Sequence, residues 1–284
     1  SVCAMMCAAK LQPIKPSKPA KAQGQPTRGK TALNRLRRID VYVALAHPDL
    51  LRLPNALVVD VGFGAQAWTT LEMAARWQPF NSTLRVLGVE IDPQRVAAAQ
   101  PYALPPHITF QLGGFNVADL IGTEAAHLIR CYNVLRQYEE ADVLPALRKM
   151  SCALAEGGIL IEGTSSPSGG MAAFDVYRKR GGTLQHEALV FGTNFHQPDL
   201  PEAFQTILPK RLIHHMQDAA LAAFFAAWQR AYAVGRGAGI RSRRKVWRTA
   251  AAWLIGNTNF SLDRRRRLIR RGYVCLHTPL IQTI

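Results

Sequence analysis

The sequence predicts an α/β protein with a mostly parallel sheet, a closing antiparallel hairpin and a basic helical extension. Three observations predict it. Apolar strand patterns alternate with helical patterns from Ala56 to about residue 165. Two extended runs then meet at Gly181-Gly182, as in a hairpin. Beyond Pro198 the pattern turns helical and the arginines gather.

Taken in order, residues 1–30 are rich in Lys, Pro, Ala and Gln, and few apolar groups could offset the entropy of ordering them. A disordered basic tail is expected there. Leu33, Leu36, Ile39, Val43 and Leu45 then recur at near-helical spacing, with Pro48 beginning the stop. "ALVVDVG" is a buried strand ending in glycine, and "AWTTLEMAARWQPF" is helical. "LRVLGVEID" is the second strand, and Asp92 with Pro93 makes a cap and first turn for "DPQRVAAAQPYA". "HITFQLGG" and "AAHLIRCYNVL" are strands three and four. "EEADVLPALRKMSCALAEGG" is a helix with acids first, a lysine late and glycines at its end. "ILIEGTSS" is strand five. Right-handed crossovers between such units give a parallel sheet. The expected division is a tail over 1–30, a core over 31–195 and a basic, mainly helical extension over 196–284.

Composition bounds the function. With 284 residues and 48% hydrophobic content, the chain can bury a large core. It has no run of 18 apolar residues, so no membrane partner is expected. Five scattered cysteines without a C-x-x-C pair read as reduced thiols of a cytoplasmic protein, and no metal-ligand cluster is evident. The net charge of +16 is divided unevenly. Residues 1–40 hold nine Lys/Arg and one acid, residues 41–205 eleven and sixteen, and residues 206–284 fifteen and two. Basic flanks around a mildly acidic centre suit a polyanion; a solvated charged surface is the plainer alternative.

"LVVDVGFGAQAWTTLE" carries the central motif. Gly62, Gly64 and Ala67 fit G-x-G-x-x-A, which a dinucleotide turn tolerates. Asp60 argues otherwise. At the strand's end it would face a pyrophosphate, whereas it suits a cationic ammonium group. "VVDVGFGA" resembles the D-x-G-x-G motif of class I S-adenosylmethionine-dependent methyltransferases, and "VLGVEIDPQRVAAA" resembles that family's second-strand motif. The resemblance covers about residues 31–195. It implies a Rossmann-like three-layer sandwich with a seven-stranded, mostly parallel sheet and a C-terminal antiparallel hairpin. It implies S-adenosylmethionine as cofactor. Asp60, Gly62, Phe63 and Gly64 would line its methionine part. Glu90, with Ile91 beside it, would accept from both ribose hydroxyls. Gly114 and Phe115 would meet the adenine, and Asn133 would complete the site. Gln66 stands where a third glycine is common, and Gly114 where an acid often meets the adenine amine. Phe115 could equally be a core residue.

Methyl transfer is the reaction this implies. "CYNVLRQYEE" at the end of strand four lacks the Asn/Asp-Pro-Pro-aromatic motif of amine-methylating enzymes. Cys131 lies within the strand and reads as a structural thiol. His214-His215 reads as an exposed turn or helix. Alignment chemistry remains, with Tyr132, Asn133 and Arg136 as candidates for the substrate pocket; Asn133 could equally hold its turn. RNA is the acceptor the basic flanks suit, through Arg243, Arg244, Arg264, Arg265, Arg266 and Arg267. The alternatives are a small-molecule or protein acceptor, and an inactive cofactor- or RNA-binding protein of the same fold. A nicotinamide oxidoreductase lacks a recognisable Tyr-x-x-x-Lys proton donor.

Overall fold

A computed structural model describes residues 21–196 and 200–277. Its elements, in chain order, are α1 (Arg37–Ala46), α2 (Pro48–Arg52), β1 (Leu57–Val61), α3 (Trp68–Trp77), β2 (Arg85–Glu90), α4 (Pro93–Ala99), β3 (Ile108–Leu112), α5 (Val117–Ile121), β4 (Ala126–Tyr132), α6 (Glu140–Ser151), β5 (Leu154–Ser165), β6 (Met171–Arg180), β7 (Thr183–Thr193), α7 (Pro201–Gln205), α8 (Lys210–Ile213), α9 (Ala219–Gly237), α10 (Arg243–Asn257), α11 (Arg266–Arg270) and β8 (Tyr273–Leu276).

One sheet has the order β3-β2-β1-β4-β5-β6-β7-β8. The first five strands are parallel; β6, β7 and β8 each pair antiparallel with the strand before them in that order. Period-2 alternation divides the strands between two faces. Val58, Val86, Leu128 and Ile161 pack with Ile39, Met73 and Val96 of α1, α3 and α4. Val59, Val89, Ile129 and Leu160 pack with Val117, Val143 and Leu147 of α5 and α6. Further along that second face, Phe191 is met by Phe204, Phe224, Phe225 and Trp228 at centroid distances of 4.9–5.9 Å. Helices therefore cover both faces, giving a Rossmann-like three-layer sandwich.

Four features differ from the sequence expectation. The sheet has eight strands rather than seven, because the extension returns Tyr273–Leu276 to the edge of β7. An apolar "YVCL" after an arginine run carries too short a signal to be read as a strand. Strand five begins at Leu154, so "LAEG" is strand and α6 ends at Ser151. Pro48 opens α2 at its first turn instead of ending the helix region, as its fixed φ allows. Residues 21–29 are packed against the core, so the expected tail does not reach residue 30 as free chain; its first twenty residues lie outside the described residues.

The segment 21–29 is an irregular strap across the carboxyl ends of β1, β2 and β3. Side chains and backbone groups of the core hold its peptide groups. Asn116 Oδ1 accepts from the Gln23 N–H at 3.0 Å, and the Phe115 N–H donates to the Gln23 carbonyl at 2.9 Å. The Tyr138 hydroxyl accepts from the Gln25 N–H at 2.6 Å and donates to the Gln25 carbonyl at 3.0 Å. Arg95 Nη2 donates to the Thr27 carbonyl, and the Ala65 N–H to the Gly29 carbonyl.

Candidate functional site

The sheet order reverses between β1 and β4, and the crevice outside the carboxyl ends there is the ligand position of open α/β sheets. Gly62 and Gly64 form its floor with φ of 76° and 86°, a region only glycine enters at little cost. The Gly62 N–H donates to the Val89 carbonyl at 2.7 Å, and the Gly64 N–H to Glu90 Oε2 at 2.8 Å. A Cβ on Gly64 would lie 2.8 Å from the Gly29 carbonyl oxygen, so this glycine admits the strap as closely as it would a ligand.

Glu90 is buried at the end of β2, as the motif implied. Its other oxygen accepts from the N–H groups of Ile91 (3.0 Å) and Asp92 (3.3 Å), and Arg95 lies 3.5 Å away. A carboxylate offers about four acceptor positions. With three taken, about one stays open, rather than the two that a pair of ribose hydroxyls would use. Asp92 caps α4 through the Gln94 and Arg95 N–H groups, as expected.

Asp60 is placed differently from the implied role. It does not line the crevice. Arg130 Nε and Nη2 reach its two oxygens at 2.8 and 2.7 Å, and the Thr70 hydroxyl donates at 2.6 Å. Arg130 also pairs with Asp40 at 2.6 Å and donates to the Thr69 carbonyl. Arg76 meets the other oxygen of Asp40 at 2.6 Å. Burial lifts Asp40 to about 6 against the pull of its arginines, while Asp60 and Asp40 raise Arg130 and hold it charged. Asp60 thus has its counter-charge inside the protein and is not open to an ammonium group. Sequence reading passed over Arg130. A lone arginine in the apolar run "HLIRCY" is the signal, since a buried guanidinium requires acids.

Phe115 is 8% exposed and lies 5.2 Å from the Tyr138 ring, beneath Gly24 of the strap. A Cβ on Gly114 would collide with the Gln23 carbonyl. The space among Glu90, Ile91, Gly114 and Phe115 is about 20 Å³, enough for about one water. The strap therefore fills the face that the motif assigns to the nucleoside.

A larger cavity of about 730 Å³ adjoins it, sharing Gln25, Thr27, Gly62 and Val134. Its walls bring together the predicted residues Gly62, Phe63, Gly64, Tyr132, Asn133 and Arg136. Thr31, Arg35, Thr164 and Ser165 join them. Tyr132 is buried and donates to the Thr164 carbonyl at 2.9 Å; burial raises its pKa well above the usual phenol value. Asn133 has φ of 61°, accepts from the Ser165 N–H at 2.9 Å and donates to the Ser165 hydroxyl at 3.2 Å. It ties the ends of β4 and β5 together, so its turn role is the one observed. Cys131 is buried, and its thiol is raised by that burial. His215 pairs with Glu140 at 2.6 Å and Asp218 at 3.2 Å on the surface.

Another charged cluster lies under β5 and β6. Arg211 grips Asp175 through both oxygens, at 2.6 and 2.5 Å. Glu162 faces them from the neighbouring strand, buried and with neither carboxyl oxygen partnered. Burial, with Asp175 adding to it, lifts Glu162 to about 8, so it is mainly protonated near neutral pH.

No group of three or more potential metal ligands occurs among the described residues, and no helix there is long and apolar enough to cross a membrane. No protein-family model and no curated protein matches the chain. Solved structures similar to it include S-adenosylmethionine-dependent methyltransferases. A magnesium protoporphyrin IX methyltransferase from Synechocystis, with bound S-adenosylhomocysteine, is 18% identical; the match covers 45% of this chain and 53% of that one, with a TM-score of 0.35. This chain thus spans about half the length of that protein. A TehB-like methyltransferase from Corynebacterium glutamicum is 23% identical over 48% of this chain and 64% of that one, with a TM-score of 0.34. A sugar N-methyltransferase from Streptoalloteichus is 16% identical over 64% of this chain and 78% of that one, also at 0.34.

Proposed function

We propose that this protein is a methyltransferase using S-adenosylmethionine, with its acceptor held in the 730 Å³ cavity at the ends of β4 and β5. One observation carries the reading: Glu90 is held at the end of β2, beside the Gly62–Gly64 floor, at the switch point of the sheet. The residue types suit a nucleoside with an amino-acid tail. Glu90 has an acceptor position left, Gly62 and Gly64 leave the backbone bare, and Phe115 offers a ring face. The room does not suit it while the strap lies over Glu90, Gly114 and Phe115; residues 23–29 must withdraw for a purine to enter. When bound, the cofactor supplies a sulfonium methyl group as electrophile. The chain's part is alignment and exclusion of water. Asn133 fixes the two strand ends that shape the acceptor side, and Tyr132 closes it from below.

Calorimetry tests this. S-adenosylhomocysteine should bind and NAD should not. Glu90→Ala should weaken binding by about 1–3 kcal/mol through the lost charged hydrogen bond. Binding of NAD, or an unchanged affinity in the variant, would overturn the reading. RNA is the acceptor we favour on one observation. Arg243, Arg244, Arg264, Arg266 and Arg267 are exposed, and residues 206–284 hold fifteen Lys/Arg against two acids. The core and the extension over 196–284 then act as one unit, since β8 of the extension completes the sheet.

A further inference from the structure

We propose that the large cavity holds an oxyanion, phosphate or carboxylate, carried by the methyl acceptor. The inference rests on the methyltransferase reading for the word acceptor, and on the cavity alone for the anion.

Arg28, Lys30, Arg35 and Arg136 line the cavity, and no Asp or Glu is among its lining residues. None of the four forms an ion pair within the described residues. Elsewhere in this protein buried arginines are paired: Arg130 with Asp60 and Asp40, Arg211 with Asp175. Arg35 and Arg136, half-buried at the cavity wall, have no such partner among the described residues. Arg35 directs its guanidinium to neutral groups only, donating to the Lys30 carbonyl at 2.6 Å and approaching the Ser165 hydroxyl at 3.4 Å. Arg136 keeps Nη1 buried and without a partner. Burial lowers the pKa of both, as it does when a cation lacks a counter-charge. The hydroxyls of Thr31 and Thr164 are likewise buried and unpartnered at the wall.

Buried donors without acceptors are costly, and a native structure leaves few of them. Guanidinium, ammonium and hydroxyl donors converging on one space match the acceptor oxygens of a phosphate or carboxylate. An anion there would also relieve the mutual repulsion of four cations. The carboxylate of the cofactor's own methionine part is a competing source, but it offers one charge to four. Because Asp60 is neutralised by Arg130 and no Asp or Glu lines the large cavity, the cavity itself supplies no acid against a sulfonium. An anionic acceptor would supply the balancing charge.

The test uses the full chain and inorganic phosphate, titrated by calorimetry first without and then with saturating S-adenosylhomocysteine. The wild type should bind phosphate in both conditions, more weakly with S-adenosylhomocysteine bound, because withdrawal of residues 23–29 takes Arg28 from the cavity and leaves Lys30, Arg35 and Arg136. Arg136→Gln and Lys30→Gln should each weaken phosphate by about tenfold, as loss of a charged hydrogen bond does. Their affinity for S-adenosylhomocysteine should stay unchanged. Lys30 is exposed, so that variant remains informative if Arg136→Gln fails to fold. A short single-stranded RNA competing for the same phosphate would place the anion on a polynucleotide; failure to compete would place it on a small acceptor. Phosphate binding indifferent to both variants would overturn the proposal. So would displacement of phosphate by S-adenosylhomocysteine together with weaker binding of that ligand to Arg136→Gln, which would give the site to the cofactor's carboxylate. If S-adenosylhomocysteine fails to bind while phosphate binds as expected, the anion site stands and the methyltransferase reading falls.

Discussion

At the scale of single residues, Asp60 and Glu90 show how alike two motif acids look in sequence and how differently they are used. Both end apolar strands, and both are buried. Glu90 keeps an acceptor position toward the crevice, whereas Asp60 is consumed by Arg130 and Thr70. Asp60→Ala would leave Arg130 with Asp40 as its single carboxylate partner, beside the Thr69 carbonyl. Breaking a buried pair from one side costs about 3–5 kcal/mol. Urea unfolding should show a loss of that size, while the folded fraction binds S-adenosylhomocysteine nearly as the wild type does. Wild-type stability with lost binding would return Asp60 to the ligand. The sequence marks where a charge must find a partner, but it does not say which partner. Asp40, Asp60 and Arg130 each sit in an apolar context, and only the fold shows that they meet one another.

At the scale of elements, the alternating strands and helices were legible because their apolar periods are strong. Val58, Val86 and Leu128 fall on one face and Val59, Val89 and Ile129 on the other, as a doubly covered parallel sheet requires. The hairpin at Gly181-Gly182 and the cap at Asp92 were legible from turn and cap chemistry. The strap was not. Its composition is that of a disordered segment, and what holds it is hydrogen bonding to peptide groups, which leaves no pattern in its own residues. Tyr138 makes two of those bonds, so it is the position from which to loosen the strap. Tyr138→Phe removes both and keeps the ring against Phe115. Stopped-flow association of S-adenosylhomocysteine should become faster by about thirtyfold, since the two bonds together are worth about 2 kcal/mol in holding the closed arrangement. An unchanged rate would show that the strap does not bar the crevice.

At the scale of the whole molecule, charge and topology work through the same extension. Its arginines are not equivalent. Arg265 is held by Asp263 and donates to the Ala46 carbonyl at 3.0 Å, so it joins the extension to α1. Arg244 lies over the Phe195 ring at 4.9 Å. Arg264, Arg266 and Arg267 are exposed and are the ones free to meet phosphates. On the RNA reading, changing those three to Gln should lower the slope of log affinity against log salt by about 0.7 for each phosphate no longer neutralised. Affinity for S-adenosylhomocysteine should stay constant. Equal slopes for wild type and variant would leave RNA without this face. The chain leaves the sheet at Thr193 and returns at Gly272, and the Thr193 N–H donates to the Gly272 carbonyl at 2.9 Å. Everything between them departs and rejoins at one point on the sheet's edge. Thr206 and Ile207 of that excursion reach the large cavity. It therefore has the geometry of an interchangeable cassette. A lineage could lengthen, shorten or replace it to change what the cavity admits, while the glycine floor in that cavity and Glu90 at the end of β2 stay as they are.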